Sequence, residues 1–270
     1  MTIPAKPILK WAGGKRQLLP SLTPFIPKKM NRYIEPMIGG GAMLMALSPK
    51  NAVIADSNPE LINFYRSIVA EMDELIAQYN SWPFDEAFFY KLRAERFEDL
   101  TPIYAAARTL YLNRACFNGL YRVNRSGGFN VPWGKYKKPF IIDREQFSVA
   151  RTILARAEIK LGDFREILME TAESGDFIFL DPPYVPLSPS ADFKRYTSTQ
   201  FSDQDHHAMA EMVKILSARG CEVLITNSNH PLVHDLYRGY HIEIVQTKRN
   251  VNSKGNGRVG EDVIIHVPSS

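Results

Sequence analysis

The sequence predicts an α/β fold in which a doubly wound, mostly parallel sheet carries a smaller inserted domain. Strand-like apolar runs alternate with helical patterns along most of the chain, which is typical of a parallel sheet with helices on both faces. Residues 73–140 interrupt this alternation with two helical patterns and a stretch rich in Gly and Asn. The 270 residues, 45% of them apolar, suffice for one large domain with such an insertion.

The elements follow from the periodicity of apolar residues. Seven strands are predicted, at residues 32–35, 52–55, 158–161, 177–180, 222–226, 241–245 and 262–267. Helices are predicted at 59–71 and 203–219, and within the insertion at 85–96 and 103–115, before a hairpin at 117–134. We therefore divide the chain into a main domain formed by residues 1–72 and 141–270 and an inserted domain at 73–140.

The fourth predicted strand ends in an acid, two prolines and a tyrosine, residues 181–184. Its four apolar residues show no polar alternation, so both faces of the strand are expected to be buried. Asp181 then lies at the carboxyl edge of the sheet, where open α/β sheets bind ligands. The prolines remove two backbone donors and leave carbonyl oxygens beside the carboxylate. The alternative is a simple strand terminator, because Pro-Pro ends strands in many proteins.

A Gly-rich turn follows the first predicted strand and precedes a helix expected to start near Ala42. Such a turn lets a ligand approach the backbone closely. The second strand ends in Asp56, near the position at which this fold carries the acid that binds ribose hydroxyls. Together they indicate a cofactor that contains a nucleoside. Pro36 occupies the place of the first glycine of the dinucleotide fingerprint, which makes NAD a poor fit.

A second Gly-containing segment, ILKWAGGKR at residues 8–16, resembles a phosphate-binding loop only superficially. A Walker A loop needs Gly in place of Leu9 and Ser or Thr in place of Arg16, so this type of site is excluded. Trp11 is expected either as a half-buried core indole or as one wall of a cofactor pocket that includes Lys15.

The charges are unevenly distributed. The 33 basic and 29 acidic residues give a net charge of only +4, but residues 100–142 contain seven bases and no acid, and residues 244–260 contain four bases and no acid. These segments indicate either solvated surface or a polyanionic partner. No apolar run could span a membrane and no secretory signal is visible, so we expect a cytoplasmic protein. Cys116 and Cys221 have no metal-ligand spacing, and no metal is expected.

Six motifs occur in a fixed order along the chain: WAGGK at 11–15, EPMIGGG at 35–41, Asp56, FNGLYR at 117–122, FNVPWG at 129–134 and DPPY at 181–184. In this order, over residues from about Leu9 to about Val267, they resemble the Dam family of DNA adenine N6-methyltransferases. The similarity is greatest to the GATC-specific, DpnM-like members of the alpha group of amino-methyltransferases, which accompany a restriction endonuclease. Phe117 departs from the family pattern, since many members have Tyr there, but an aromatic ring is retained.

The resemblance implies a Rossmann-like class I S-adenosylmethionine-dependent methyltransferase fold with an inserted helical and β-hairpin DNA-recognition domain. It implies S-adenosylmethionine as cofactor, double-stranded DNA as substrate, and a cognate restriction endonuclease as a candidate partner. The candidate cofactor-binding residues are Trp11, Lys15, Glu35, Pro36, Gly39, Gly41, Asp56 and Asp181.

The DPPY motif fits amine methylation. The lone pair of adenine N6 is delocalised into the ring, so the enzyme must orient the amine towards the methyl group. Asp181 and the Pro182 carbonyl are expected to accept the two N–H hydrogens, and Tyr184 is expected to stack on a base flipped out of the duplex. Transfer is then a direct displacement assisted by positioning and electrostatics. No covalent intermediate is needed, and neither cysteine follows a proline, as the C5-cytosine enzymes require.

The hairpin is expected to read bases, because a two-stranded ribbon fits the major groove. From the residues alone, the hairpin could equally be a surface ribbon whose bases are solvated, and the resemblance favours base recognition. We expect Arg114, Arg125, Lys135, Lys137, Lys138 and the loop around Lys254 to meet phosphates or stay solvated. The candidate DNA-binding residues are Lys10, Phe117, Asn118, Leu120, Arg122, Asn124, Pro132, Lys135 and Tyr136.

Three alternatives stay open at the level of sequence. An N4-cytosine enzyme tends to carry Ser where Asp181 stands. A DNA-binding protein that has lost catalysis would not need an intact DPPY motif, and binding of S-adenosylmethionine would distinguish it. A nicotinamide oxidoreductase is disfavoured by Pro36 and by the basic insertion.

Overall fold

The computed structural model describes residues 5–11, 13, 15–124, 127–187, 201–248 and 259–270. Within them, seven strands form one sheet, close to the seven predicted runs. The strands are β1 (Tyr33–Glu35), β2 (Ala52–Asp56), β3 (Ala157–Leu161), β4 (Phe177–Leu180), β5 (Glu222–Ser228), β6 (His241–Lys248) and β7 (Val259–Val267). The last three extend beyond the predictions because polar residues pair at their ends as well as apolar ones.

The helices of the described chain alternate with these strands. α3 continues nine residues past the predicted end at 71, because Leu75, Ile76 and Tyr79 extend its buried stripe. Glu71 interrupts it with non-helical angles of φ −141° and ψ 51°. The helices are α1 (Leu19–Leu22), α2 (Ala42–Leu47), α3 (Pro59–Asn80), α4 (Glu86–Ala94), α5 (Pro102–Ala115), α6 (Arg144–Leu154), α7 (Phe164–Thr171), α8 (Asp203–Ala218) and α9 (Pro231–Leu236).

The strand order is β3-β2-β1-β4-β5-β7-β6. The first five strands are parallel, and β7 lies antiparallel between β5 and β6. The chain leaves β1 towards β2 on one side, whereas β4 and β5 lie on the other side. The order of strands therefore reverses between β1 and β4, and a doubly wound sheet binds ligands beside such a reversal.

Each face of the sheet has its own hydrophobic core. Phe177 and Phe179 of β4 pack on the face covered by α3, α5 and α6. Ile178 and Leu180 pack on the opposite face, covered by α7, α8 and α9. All four side chains are fully buried, which explains the uninterrupted apolar run before Asp181.

The expected hairpin is present as an irregular ribbon. Val123 pairs with Phe129, and the Asn130 N–H donates to the Arg122 carbonyl at 3.0 Å. Only isolated bridges form among its described residues, so no regular ladder joins the two sides. Pro132 lacks an N–H donor and Asn118 adopts the left-handed conformation with φ +55°, and both features interrupt a ladder.

Two bases of the acid-free segment 100–142 are buried or partly buried, and for one of them, Arg114, contact with phosphate or solvent was expected. Arg108 is 2% exposed and pairs with Glu60 of α3 at 3.2 Å. Arg114 is partly buried, stacks on Phe140 at 3.9 Å and donates to the Ile8 carbonyl. Burial lowers the pKa of the Arg114 guanidinium. A one-sign charge run does not show which helix face its members occupy, so the prediction for Arg114 was wrong.

No helix in the described part of the chain is long and apolar enough to cross a membrane.

Candidate active site and nucleic-acid interface

Asp181 lies at the carboxyl end of β4 and is held by two neighbours. The ammonium of Lys15, in the turn before α1, lies 2.7 Å from Asp181 Oδ1. The Thr226 hydroxyl, in β5, donates to the same oxygen at 2.8 Å. Both donors are buried while the carboxylate is partly exposed. This edge of the sheet therefore presents an oriented, partly exposed carboxylate.

The segment after Asp181 is attached to β5. The Val185 N–H donates to Asn227 Oδ1 at 3.0 Å, and the Ser228 hydroxyl donates to the Val185 carbonyl at 2.6 Å. Lys15 Nζ lies 4.7 Å from the centroid of the Tyr184 ring, a cation–π distance. The DPPY turn is thus fixed on both sides of its prolines.

Sequence reasoning missed the residues that fix this turn, Thr226, Asn227 and Ser228. All three are buried at the end of an otherwise apolar strand. Buried polar side chains almost always have hydrogen-bond partners. Three polar residues at the end of an apolar strand could therefore have indicated that this end of β5 binds a neighbouring segment.

The Gly-rich turn between β1 and α2 packs against Trp11. A Cβ at Gly39 would come within 2.8 Å of Trp11 Nε1, and a Cβ at Gly40 within 2.7 Å of Trp11 Cβ. Gly39 and Gly41 also have φ values of +48° and +67°. Glycine is therefore required both by the indole and by the backbone conformation. Trp11 forms a half-buried wall over the turn.

Asp56, at the end of β2, is bound to the same turn. Its Oδ2 accepts the Gly39 N–H and its Oδ1 accepts the Asn58 N–H, both at 3.0 Å. Burial raises the pKa of Asp56 to about 6, and these backbone donors oppose the rise. The Gly39 carbonyl in turn accepts the Tyr65 hydroxyl at 2.7 Å. The structure thus brings Asp56 into direct contact with the Gly-rich turn, as the sequence predicted.

Glu35 lies beneath this turn and is 2% exposed. Its Oε2 accepts the Tyr33 hydroxyl at 2.9 Å. Burial raises the pKa of Glu35 to about 8, the charge of Asp181 adds to the rise, and the Tyr33 bond and Lys15 oppose it. The raised pKa favours the protonated form of Glu35 at neutral pH. The neighbouring Pro36 is also buried.

The ribbon contacts the candidate cofactor pocket through Tyr121. Its ring stacks on Trp11 with centroids 5.0 Å apart and 20° between the planes. Its hydroxyl donates to Asn58 Oδ1 at 3.4 Å, and Asn58 is bonded to Asp56. The ribbon and the Gly-rich turn therefore share one wall.

Lys10 joins the segment before Trp11 to the ribbon. The buried Asn113 side chain accepts from the Lys10 N–H at 2.9 Å and donates to the Lys10 carbonyl at 2.7 Å. The Lys10 ammonium lies 5.0 Å from the Tyr136 ring centroid. The Lys10 stem packs against Gly119, where a Cβ would overlap it. The structure thus places Lys10 and Tyr136 side by side.

The remaining ribbon candidates lie on an accessible surface. Phe117 is 51% exposed, so its ring is accessible to a partner. The Arg122 Nε donates to Asn130 Oδ1 at 2.7 Å, and Asn124 Oδ1 accepts the Gly128 N–H at 2.9 Å. The other exposed or partly exposed candidates are Asn118, Leu120, Pro132 and Lys135.

Several sequence predictions concern residues outside the described part of the chain. They are the base Arg125 and the bases of the second acid-free segment that lie at 249, 254 and 258. Among the residues that the structure does describe, no group of three or more His, Cys, Asp or Glu side chains could hold a metal ion.

Comparison with known proteins gives consistent matches. Residues 11–251 match the family model of the D12 class N6 adenine-specific DNA methyltransferases. The Type II methyltransferase M1.LlaDCHI of Lactococcus lactis subsp. cremoris is 39% identical over 261 residues, covering 94% of this chain and 92% of that protein. The DNA adenine methylase of Vibrio cholerae serotype O1 is 33% identical over 262 residues, with 95% and 94% covered. That of Escherichia coli K12 is 31% identical over 261 residues, with 95% and 93% covered.

Proposed function

The chain belongs to the family of D12 class N6 adenine-specific DNA methyltransferases, and on that premise we propose that it transfers a methyl group from S-adenosylmethionine to adenine within GATC. Its fold is the Rossmann-like class I methyltransferase fold. The observation that carries the proposal is the placement of Asp181 beside the Gly-rich turn, held by Lys15 and Thr226.

The pocket at the Gly-rich turn fits the methyl donor. Gly39 and Gly41 allow the left-handed turn that exposes the backbone to a ligand, and Trp11, packed on Gly39, supplies a flat apolar wall. Asp56 supplies the acceptor that a ribose hydroxyl needs. When bound, S-adenosylmethionine supplies an electrophilic methyl group on a sulfonium. The residues we assign to this pocket are Trp11, Lys15, Glu35, Pro36, Gly39, Gly41, Asp56 and Asp181.

The catalytic residues are Asp181, Pro182 and Tyr184. Asp181 and the Pro182 carbonyl accept the two N6 hydrogens, so the lone pair of N6 points at the methyl carbon. Tyr184 stacks on the flipped adenine, whose N6 is unreachable inside the duplex. Bound S-adenosylmethionine would supply the methyl group, and the Asp181 carboxylate would stabilise the positive charge that grows on N6 and take up the proton that N6 loses.

The ribbon and the helices before it form the target-recognition domain, which we assign to residues 73–140. Arg122, Asn124 and Tyr136 present donors and acceptors to base edges in the major groove, and Leu120 and Pro132 add apolar contacts. Phe117 and Asn118 fill the space that the flipped adenine leaves. Lys10 lies at the edge of the recognised site. Lys135 lies on the exposed surface, where it binds phosphate.

The cellular setting follows from the substrate. We place the enzyme in the cytoplasm, as expected from the sequence. M1.LlaDCHI bears the name of a Type II methyltransferase, which supports a cognate restriction endonuclease as partner.

The site specificity is tested by digestion. Plasmid DNA treated with the purified protein and S-adenosylmethionine is cut with one endonuclease that GATC adenine methylation blocks and with another that requires it. We expect resistance to the first and cleavage by the second. Unchanged digestion by both enzymes, with adenine methylated elsewhere, would contradict GATC as the site.

A further inference from the structure

The two donors that hold Asp181 bind the same oxygen. Lys15 Nζ lies 2.7 Å and Thr226 Oγ1 lies 2.8 Å from Oδ1. Both oxygens of a carboxylate can accept hydrogen bonds. Because both donors bind Oδ1, the two oxygens of Asp181 are not equivalent. Both contacts are made to Oδ1, so Oδ2 takes part in neither of them.

Thr226 occupies a position that suits an apolar residue. It is 0% exposed and follows Val223, Leu224 and Ile225 in β5, all of them buried. A buried hydroxyl destabilises the fold unless it makes a hydrogen bond, and Val would fill the same space without that requirement. The hydroxyl donates its hydrogen bond to the carboxylate of Asp181.

We propose that Thr226 is a positioning residue that sets the rotation of the Asp181 carboxylate, so that Oδ2 is the atom that accepts the adenine N6 hydrogen. This inference rests on the proposed role of Asp181. The last torsion of an Asp side chain has a broad minimum and does not fix the carboxylate plane by itself. Lys15 has a long stem with many rotamers, whereas Thr226 is β-branched and stiff. Thr226 therefore supplies the rigid contact.

In the described part of the chain, the neighbouring polar residues of β5 bind the backbone of the loop and make no hydrogen bond to the Asp181 side chain. Asn227 and Ser228 bind the backbone of Val185, so they fix the path of the chain after the prolines. Thr226 alone of these three binds the reacting side chain. Loss of Thr226 Oγ1 should therefore alter the rate of transfer more than the shape of the loop.

The assignment of Oδ2 has a consequence for Asp181→Asn. Two donors at the Oδ1 position draw the amide oxygen towards themselves, which turns the NH2 group towards the adenine amine. Two donor groups then face each other. We expect Asp181→Asn to be as inactive as Asp181→Ala, although Asn has the shape of Asp and retains an acceptor.

The experiment compares Thr226→Val, Thr226→Ser and the control Thr171→Val in single-turnover methylation of a GATC duplex. Thr171 is also a buried threonine, but its hydroxyl donates to the Ile167 carbonyl within α7. We expect a loss of about 10- to 100-fold for Thr226→Val, the cost typical of a misplaced reacting group. Thr226→Ser should recover most of the rate, Thr171→Val should keep it, and the affinities for S-adenosylmethionine and DNA should not change.

The outcomes separate this inference from the proposed function. A wild-type rate for Thr226→Val, with Asp181→Ala inactive, would overturn the role of Thr226 and leave that of Asp181 intact. A wild-type rate for Asp181→Ala would overturn the proposed active site itself. If Thr226→Val does not fold, Thr226→Ala decides: a wild-type rate overturns the role of Thr226, and a loss of about 10- to 100-fold supports it.

Discussion

The indole of Trp11 stacks on the ring of Tyr121, with centroids 5.0 Å apart and an interplanar angle of 20°. Trp11 belongs to the proposed cofactor pocket, whereas Tyr121 belongs to the ribbon proposed to read DNA. This aromatic contact therefore joins the proposed cofactor pocket to the proposed DNA-reading ribbon.

Tyr121→Ala should weaken the binding of S-adenosylmethionine in the absence of DNA. A stacked aromatic pair contributes about 0.5–1.5 kcal/mol beyond its buried area, which corresponds to roughly 2- to 10-fold in affinity. Isothermal titration calorimetry measures the change. Tyr136→Ala is the matched control: its ring stacks on Lys10, away from Trp11, so it should weaken DNA binding and leave the cofactor affinity unchanged. Equal cofactor affinity in both variants would show that Tyr121 does not support the pocket.

Arg108→Met should destabilise the fold strongly. Arg108 is 2% exposed, and besides Glu60 it donates to the carbonyls of Leu92 and Glu95 at 2.8 and 3.0 Å. Its loss leaves a buried carboxylate without its partner, which typically costs about 3–5 kcal/mol. Urea unfolding measures the free energy. Arg96→Ala breaks only exposed ion pairs and should cost less than about 1 kcal/mol. Similar losses in both variants would contradict a structural role specific to Arg108.

Glu35→Gln should flatten the pH dependence of stability. The pKa of Glu35 is raised from 4.5 to about 8, so between these values the folded chain binds a proton that the unfolded chain has released. The free energy of unfolding of the wild type therefore falls as pH rises through this window, by up to about 1.4 kcal/mol per pH unit from this residue. Gln removes this dependence and can still accept the Tyr33 hydroxyl. Urea unfolding across the window tests it, and parallel pH profiles for the two proteins would refute the raised pKa.

Arg122→Ala should reduce sequence discrimination more than general DNA affinity. Arg122 lies on the exposed ribbon, and a paired Arg contact to a base contributes about 1–3 kcal/mol of preference at one base pair. Methylation of duplexes that each differ from GATC by one base pair measures the change. Lys138→Ala is the control. Loss of a phosphate contact should weaken binding to all sequences alike and lower the slope of log affinity against log salt concentration by about one unit. Uniform loss of activity with Arg122→Ala would mean that bases are read elsewhere.

The sequence predicted the parts of the site that depend on local pattern. The apolar run of β4 and the acids that end β2 and β4 placed Asp56 and Asp181 at one edge of the sheet, because parallel strands align their carboxyl ends. The contacts of Lys15 and Thr226 with Asp181 were not predictable, since they join distant segments whose side-chain directions depend on tertiary packing. The stack of Trp11 on Tyr121 arises in the same way, between two irregular segments.

Charge patterns were the weakest guide. The run of bases at 100–142 contains exposed members such as Lys138 and interior members such as Arg108, and their spacing alone does not distinguish them. The inner face of α5 is identified only once α3 and α4 pack against it.

The most direct test is the chemical identity and position of the transferred methyl group. A duplex with one GATC site and a matched duplex without it are incubated with the protein and S-adenosylmethionine, digested to nucleosides and analysed by mass spectrometry, with Asp181→Ala in parallel. We predict N6-methyldeoxyadenosine from the GATC duplex alone, and none with Asp181→Ala. Equal methylation of both duplexes, N4-methyldeoxycytidine as the product, or an active Asp181→Ala variant would contradict the proposed reaction.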